Sequence, residues 1–428
     1  MPACPVGIPV CCGGNVASGM ASLVHSSYGN NRLLQSMFLV LAPSSVLSCL
    51  ATLRTSVPIR SEYFMVAPAE VTHDNFFAKS KQGQADLVWR GLFVERSPIS
   101  EACQGVVTTL QKLGLEKQLA ERDLTSIRQW FEAQRLDDHV EKVFQLANVR
   151  YAVMTNIPYV EEEAQHWRQN APVATSRLRT ALRIDTFLKG DWGSISKALR
   201  AEGLDETLEG AKEYLRKWAR IYKPEYMMAS TPHDWRYPEP PAVATMKPLV
   251  KAFAGFGAAE LLEQVVAPLC QELSLPIALK LGAWRGMSPD LDPCCGGDGV
   301  AAADLASLQA LCANFPKVKF LVTVLSRANQ HELTAGAPGW YCNNPSIIEE
   351  LTKMRTEMLG TAFTAQHSDC RVLEQLLYKW EHSREVIGEA LAPYYRRLLQ
   401  RGWRLTRQEL RRDVQLLLGG SYEAFMAR

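Results

Sequence analysis

The densest group of residues able to do chemistry is the string Gln366-His367-Ser368-Asp369-Cys370-Arg371. Asp369 has two readings. It lies between a short apolar run and an amphipathic stretch, so it could be a helix N-cap or first-turn acid. It could equally be a hard-oxygen metal ligand or a carboxylate base. Arg371, and far upstream Arg183 in the run Arg179–Asp185, also read two ways. Each is either paired structurally or a fork-like clamp on a substrate carboxylate, which guanidinium geometry suits. His331 reads as a hydrogen-bonded structural histidine or as a site residue, and Trp340 and Tyr341 as ordinary core or surface aromatics. Thr155, Asn156, Asp185, Ser230, Thr231, Ser326, Arg327 and Gln330 complete the candidates.

All of these except Trp340 and Tyr341 share a position in the pattern, at or just beyond the end of a short apolar run. The runs are Tyr151–Asn156, Arg179–Asp185, Glu225–Thr231, Pro276–Gly282, Lys317–Ser326 and Thr361–Gln366. Helical periodicity separates most of them, over Leu208–Ala219, Leu249–Leu273, Ala303–Ala313 and Ile347–Met358, and a long amphipathic helix is expected over Arg371–Leu391. Strands alternating with helices predict βα units and a parallel sheet. In such a sheet, chemistry collects at the C-terminal ends of the strands. Periodicity alone leaves a (β/α)8 barrel and an open doubly wound sheet both standing. No GxGxxG follows any strand, and a barrel needs two strands more than the six visible. Asn75–Ala147 reads as a packed helical elaboration.

Composition narrows the function classes. Of 428 residues, 47% are hydrophobic and 21% charged, and the formal net charge is +2. That is the balance of a globular protein with no electrostatic pull toward nucleic acid or anionic membranes. The eleven cysteines form no zinc-type CxxC pair and read as reduced thiols. Leu33–Leu53 falls short of a membrane span. No Asp or Glu precedes Glu62, so residues 1–66 read as a divergent segment, transit-like or mistranslated. The expected location is cytoplasmic, with organellar targeting by that segment as the alternative.

Several longer strings resemble one bacterial-type branch of the uronate isomerases, of the amidohydrolase superfamily. They are "SKQGQADLVWRGLFVERSPISEACQGV", "ALRID", "FLVTVLSRANQHEL", "NNPSIIEELTKMRTEMLG" and "TAQHSDCRVLEQLLYKWEHSREVI". The resemblance runs from about Ala67 to near the C-terminus, so 67–428 is expected to be one barrel unit that includes the helical region 75–147. It implies a distorted (β/α)8 barrel. The implied reaction interconverts D-glucuronate with D-fructuronate, and D-galacturonate with D-tagaturonate. It also implies a divalent metal, typically zinc, and a homo-oligomer acting on a small sugar acid. Asp369-Cys370-Arg371 matches the family's D-x-R element, which makes Asp369 a metal contact and proton carrier. Arg371 and Arg183 then hold the substrate carboxylate, with His331 and Trp340 beside them. Two family features are not evident. The first strand should end in an HxH pair, yet His25 is the one upstream candidate and its partner position is Ser27. The space of the seventh strand is filled only by Thr334–Cys342. The alternative function is therefore a catalytically impaired homologue that still binds sugar acids or serves as a subunit partner.

Overall fold

The computed structural model describes residues 21–24, 57–169, 177–238, 255–285, 298–330, 343–370 and 372–427. Its centre is one curled sheet of seven strands. Strands β1 (Ala21–Val24), β2 (Tyr151–Asn156), β3 (Leu178–Arg183), β4 (Met227–Pro232) and β5 (Ile277–Arg285) run parallel in that spatial order. Beyond them β5 pairs antiparallel with β6 (Asp298–Val300) and parallel with β7 (Phe320–Val324). Helices including Glu161–Gln169, Leu208–Tyr222 and Leu305–Asn314 connect them. The architecture is a distorted, incomplete barrel of the (β/α)8 type. Among the described residues no pairing joins β7 back to β1.

Five of the expected strands are present within a few residues. The continuous apolar runs that marked β2 and β7 are buried at every position, as strands covered on both faces must be. Three differences have physical reasons. The run Thr361–Gln366 forms no strand. Its Ala365 N–H donates to Leu417 O at 2.9 Å and its Ala362 N–H to Leu359 O at 3.0 Å, so these backbone donors go to the C-terminal segment and to the preceding helix rather than to a neighbouring strand. A first strand does exist, at Ala21–Val24, where four residues in an atypical composition carry no periodic signal. The helix expected from Arg371 begins later, at Gln375, and runs on to Gln400.

The strands sort their side chains by height. On the face covered by the C-terminal residues Tyr422 and Phe425, Val153, Ala181, Met228, Ala278 and Leu321 pack into one apolar cluster. Side chains alternate along a strand, so the residues two positions further on share that inner face. They are Thr155, Arg183, Ser230, Lys280 and Thr323, all polar and all buried. The barrel interior is therefore greasy at the N-terminal ends of the strands and polar at the C-terminal ends. The polar layer is a direct consequence of five V-x-T-like pairs in sequence.

Strand β5 changes partner in mid-course. Leu281 pairs with Val324 of β7, whereas Ala283 pairs with Val300 of β6. Gly282 between them has φ +92°, and a Cβ there would lie 2.4 Å from the carbonyl oxygen of Ala301. Only glycine meets both demands, and the bend it permits lies two residues past Lys280.

The helical region packs on the long helix Gln375–Gln400 through Glu101–Lys112 and Leu136–Ala147. The contact is close at Gly105, where a Cβ would approach the Tyr378 ring to 2.4 Å. A buried polar pair lies in the same interface, His139 Nε2 to Glu374 Oε1 at 2.9 Å. Gly105→Ala gains about 1 kcal/mol of helix propensity. It loses more to overpacking, at roughly 1–3 kcal/mol. Denaturant unfolding should therefore show a net loss of about 1 kcal/mol. A variant as stable as the parent would mean that the two helices separate freely.

Candidate active site

Three buried groups gather at the C-terminal ends of β2 to β5. The first is built on β3. Arg183, the last residue of that strand, is fully buried, and its Nε donates to Asp185 Oδ2 at 2.5 Å while Nη2 donates to Oδ1 at 3.1 Å. Asp185 opens the short helix Asp185–Leu188, and its Oδ1 also accepts the backbone N–H of Ser230 at 3.0 Å. Ser230 Oγ lies 3.5 Å from Arg183 Nη2. The fork is thus locked between two strands by a bidentate carboxylate, which fixes its position and orientation.

The second group joins β5 to the segment before the long helix. Lys280 Nζ is 3.0 Å from Asp369 Oδ1, with the lysine side chain 2% exposed and the aspartate 14% exposed. Asp369 caps no helix, since the next helix starts at Gln375. Its backbone is left-handed, φ +46°, a conformation aspartate tolerates better than most residues. Lys379 of the long helix donates to its carbonyl oxygen at 2.8 Å and holds that turn.

The third group is Glu163, in the helix after β2. Its Oε1 accepts from Asn156 Nδ2 at 3.1 Å and from the Ile157 N–H at 3.0 Å, and no partner among the described residues meets Oε2. Burial pushes its carboxyl up to about 8, against the opposing pull of those two donors and of Arg183. Glu163 is therefore largely protonated at pH 7. The sign of the linkage follows. From the ordinary 4.5 up to about 8, the unfolded chain has released a proton that the folded chain keeps, so stability falls as pH rises across that window. Glu163→Gln removes the titration and keeps the shape. It should gain about 2–3 kcal/mol at pH 7 and little at pH 5, read from denaturant midpoints. Equal effects at both pH values would show that Glu163 is ionised in the folded protein.

Of the residues singled out from sequence, Arg183 and Asp369 fall in this polar layer and its rim. His25, His331, Trp340 and Arg371 lie outside the described residues. Lys280 and Glu163 escaped the sequence reading. Lys280 sits inside an otherwise apolar run, and the signal that could have found it is its place two residues after Ala278, matching Arg183 after Ala181. The described residues do not by themselves fit a divalent ion. Among them no three His, Cys, Asp or Glu converge, and the carboxylate of Asp369 already faces an ammonium.

No family model matches the sequence, and no curated protein matches it. Solved structures do. A uronate isomerase from Bacillus halodurans C-125 aligns with TM-score 0.82 and 33% identity, covering 97% of this chain and 94% of that one. The chain belongs to the uronate isomerase family. A uronate isomerase from Thermotoga maritima (14% identity, TM-score 0.67, 95% and 93% covered) and a glucuronate isomerase from Caulobacter crescentus (13%, 0.65, 96% and 91%) share its fold. As a family member the chain is an isomerase, and the polar layer at the strand ends is where a barrel isomerase keeps its active site. Among the described residues no helix is long and apolar enough to cross a membrane.

Proposed function

We propose that this isomerase interconverts D-glucuronate with D-fructuronate, and D-galacturonate with D-tagaturonate. The observation that carries the reading is the 33% identity, across 97% of the chain, to a protein described as a uronate isomerase. The geometry suits the chemistry. Aldose–ketose isomerisation moves one proton between adjacent carbons through an enediolate. It needs a carboxylate of adjustable protonation, a positive charge near the oxygen that becomes anionic, and an anchor for the sugar acid's own carboxylate. Asp369 is the proton carrier in this reading. Arg183, whose orientation Asp185 fixes, supplies the anchoring charge, and Arg371 completes it from the matched D-x-R element.

Neutral hexoses lack the anchored group, so they separate this reading from a general aldose isomerase. Purified full-length protein incubated with D-glucuronate, D-galacturonate or D-glucose should produce ketose from the uronates only, followed by proton NMR. Equal rates on D-glucose would remove the carboxylate anchor. A folded protein that converts no uronate would sink the assignment.

A further inference from the structure

A lysine at position 280 is unnecessary for the strand. Ala278, two residues earlier on the same inner face, shows that a small apolar side chain serves β5 well. Burying an ammonium instead is costly unless it is paired, and Lys280 is paired with the carboxylate of Asp369, which carries the proton in the reading above. The pair sits in the polar layer with Thr155, Arg183, Ser230 and Thr323. We propose that Lys280 is the electrophile of the isomerisation: its ammonium binds the carbonyl oxygen of the open-chain uronate and stabilises the enediolate, the task otherwise given to a divalent ion. This inference rests on the uronate isomerase reading.

The step balances without a co-reactant. Asp369 takes the proton from C2 of the aldose. The C–H electron pair becomes the C1–C2 double bond, and the carbonyl π pair moves to O1, where the Lys280 N–H groups hydrogen-bond the new charge. The O2 proton passes to O1 within the cis-enediolate. Protonated Asp369 then returns its proton to C1 as C2=O forms, and the carboxylate is regenerated. Lys280 remains an ammonium throughout. A dication placed against Asp369 would repel that ammonium, so the proposal carries a second consequence, turnover without zinc.

The test uses the full chain as wild type, Lys280→Met and Lys280→Arg. Steady-state kinetics on D-glucuronate is measured with elemental analysis of zinc, before and after dialysis against dipicolinate, and folding is checked by circular dichroism. Wild type should keep its kcat after chelation and carry far less than stoichiometric zinc. Lys280→Met should lower kcat about 10²–10³-fold, the loss typical of one oxyanion donor, with KM little changed. Lys280→Arg keeps the charge and should recover part of kcat. A folded Lys280→Met with wild-type kcat overturns the proposal. So does stoichiometric zinc whose removal abolishes turnover. If Lys280→Met does not fold, the arginine variant and the chelation arm decide: turnover that survives chelation together with a lowered kcat in folded Lys280→Arg supports the proposal, and turnover lost with the zinc, or a Lys280→Arg kcat equal to that of wild type, overturns it. A folded wild type that turns over no uronate removes the functional reading itself, whereas uronate turnover indifferent to position 280 removes this inference alone.

Discussion

Arg183→Met should destabilise the protein by about 3–5 kcal/mol, the loss expected when one partner of a buried ion pair is removed. The size follows from what remains. Asp185, its side chain 2% exposed, keeps the Ser230 N–H but loses both guanidinium contacts to Arg183. The cost is therefore that of a buried carboxylate deprived of its bidentate counter-charge more than of a missing attraction alone. The double variant Arg183→Met/Asp185→Asn separates the two, because neutralising the carboxylate should recover a large part of the loss. Denaturant unfolding of the two single variants, the double variant and the parent makes the comparison. Single and double variants equally unstable would mean that the arginine matters through packing. Loss of uronate affinity in the double variant, where the fold is restored, would then report the anchoring role separately.

Asp369→Asn should lower kcat by about 10³-fold, within the range of general-base losses. Asparagine is the informative replacement because it keeps the size and also tolerates the left-handed backbone at φ +46°. Alanine would mix a catalytic loss with backbone strain. Some stability should go too, since Lys280 is left buried opposite a neutral amide. Rates must therefore be taken per folded molecule, with circular dichroism at the assay temperature. A folded Asp369→Asn with parental kcat would take the proton-carrying role away from this residue.

How much of this was legible in the sequence differs element by element. The parallel strands announced themselves because burial on both faces demands unbroken apolar runs, and Tyr151–Asn156 and Phe320–Val324 have them. β6 is three residues long and β1 four, too short for any period to register. Thr361–Gln366 misled because an apolar segment whose backbone donors go to Leu417 and Leu359 has the same composition as a strand. In the site, Arg183 and Asp369 stood out as charges at the ends of runs. Lys280 did not, since it lies within its run, and only the shared spacing of Ala278-x-Lys280 and Ala181-x-Arg183 assigns both to one inner layer. Glu163 was hidden for another reason. Its neighbours Glu161 and Glu162 make it one of three consecutive acids, and sequence alone says nothing of which one turns inward.

The central claim is that this chain moves the C2 proton of a uronate with Asp369. Its most direct test is the fate of deuterium in D-[2-²H]glucuronate, followed by NMR with the purified full-length protein and with Asp369→Asn. The account predicts that the label leaves C2 as ketose accumulates with the wild type, and stays in place with the folded variant. A wild type that leaves the label at C2, or an asparagine variant that clears it as fast, would contradict it.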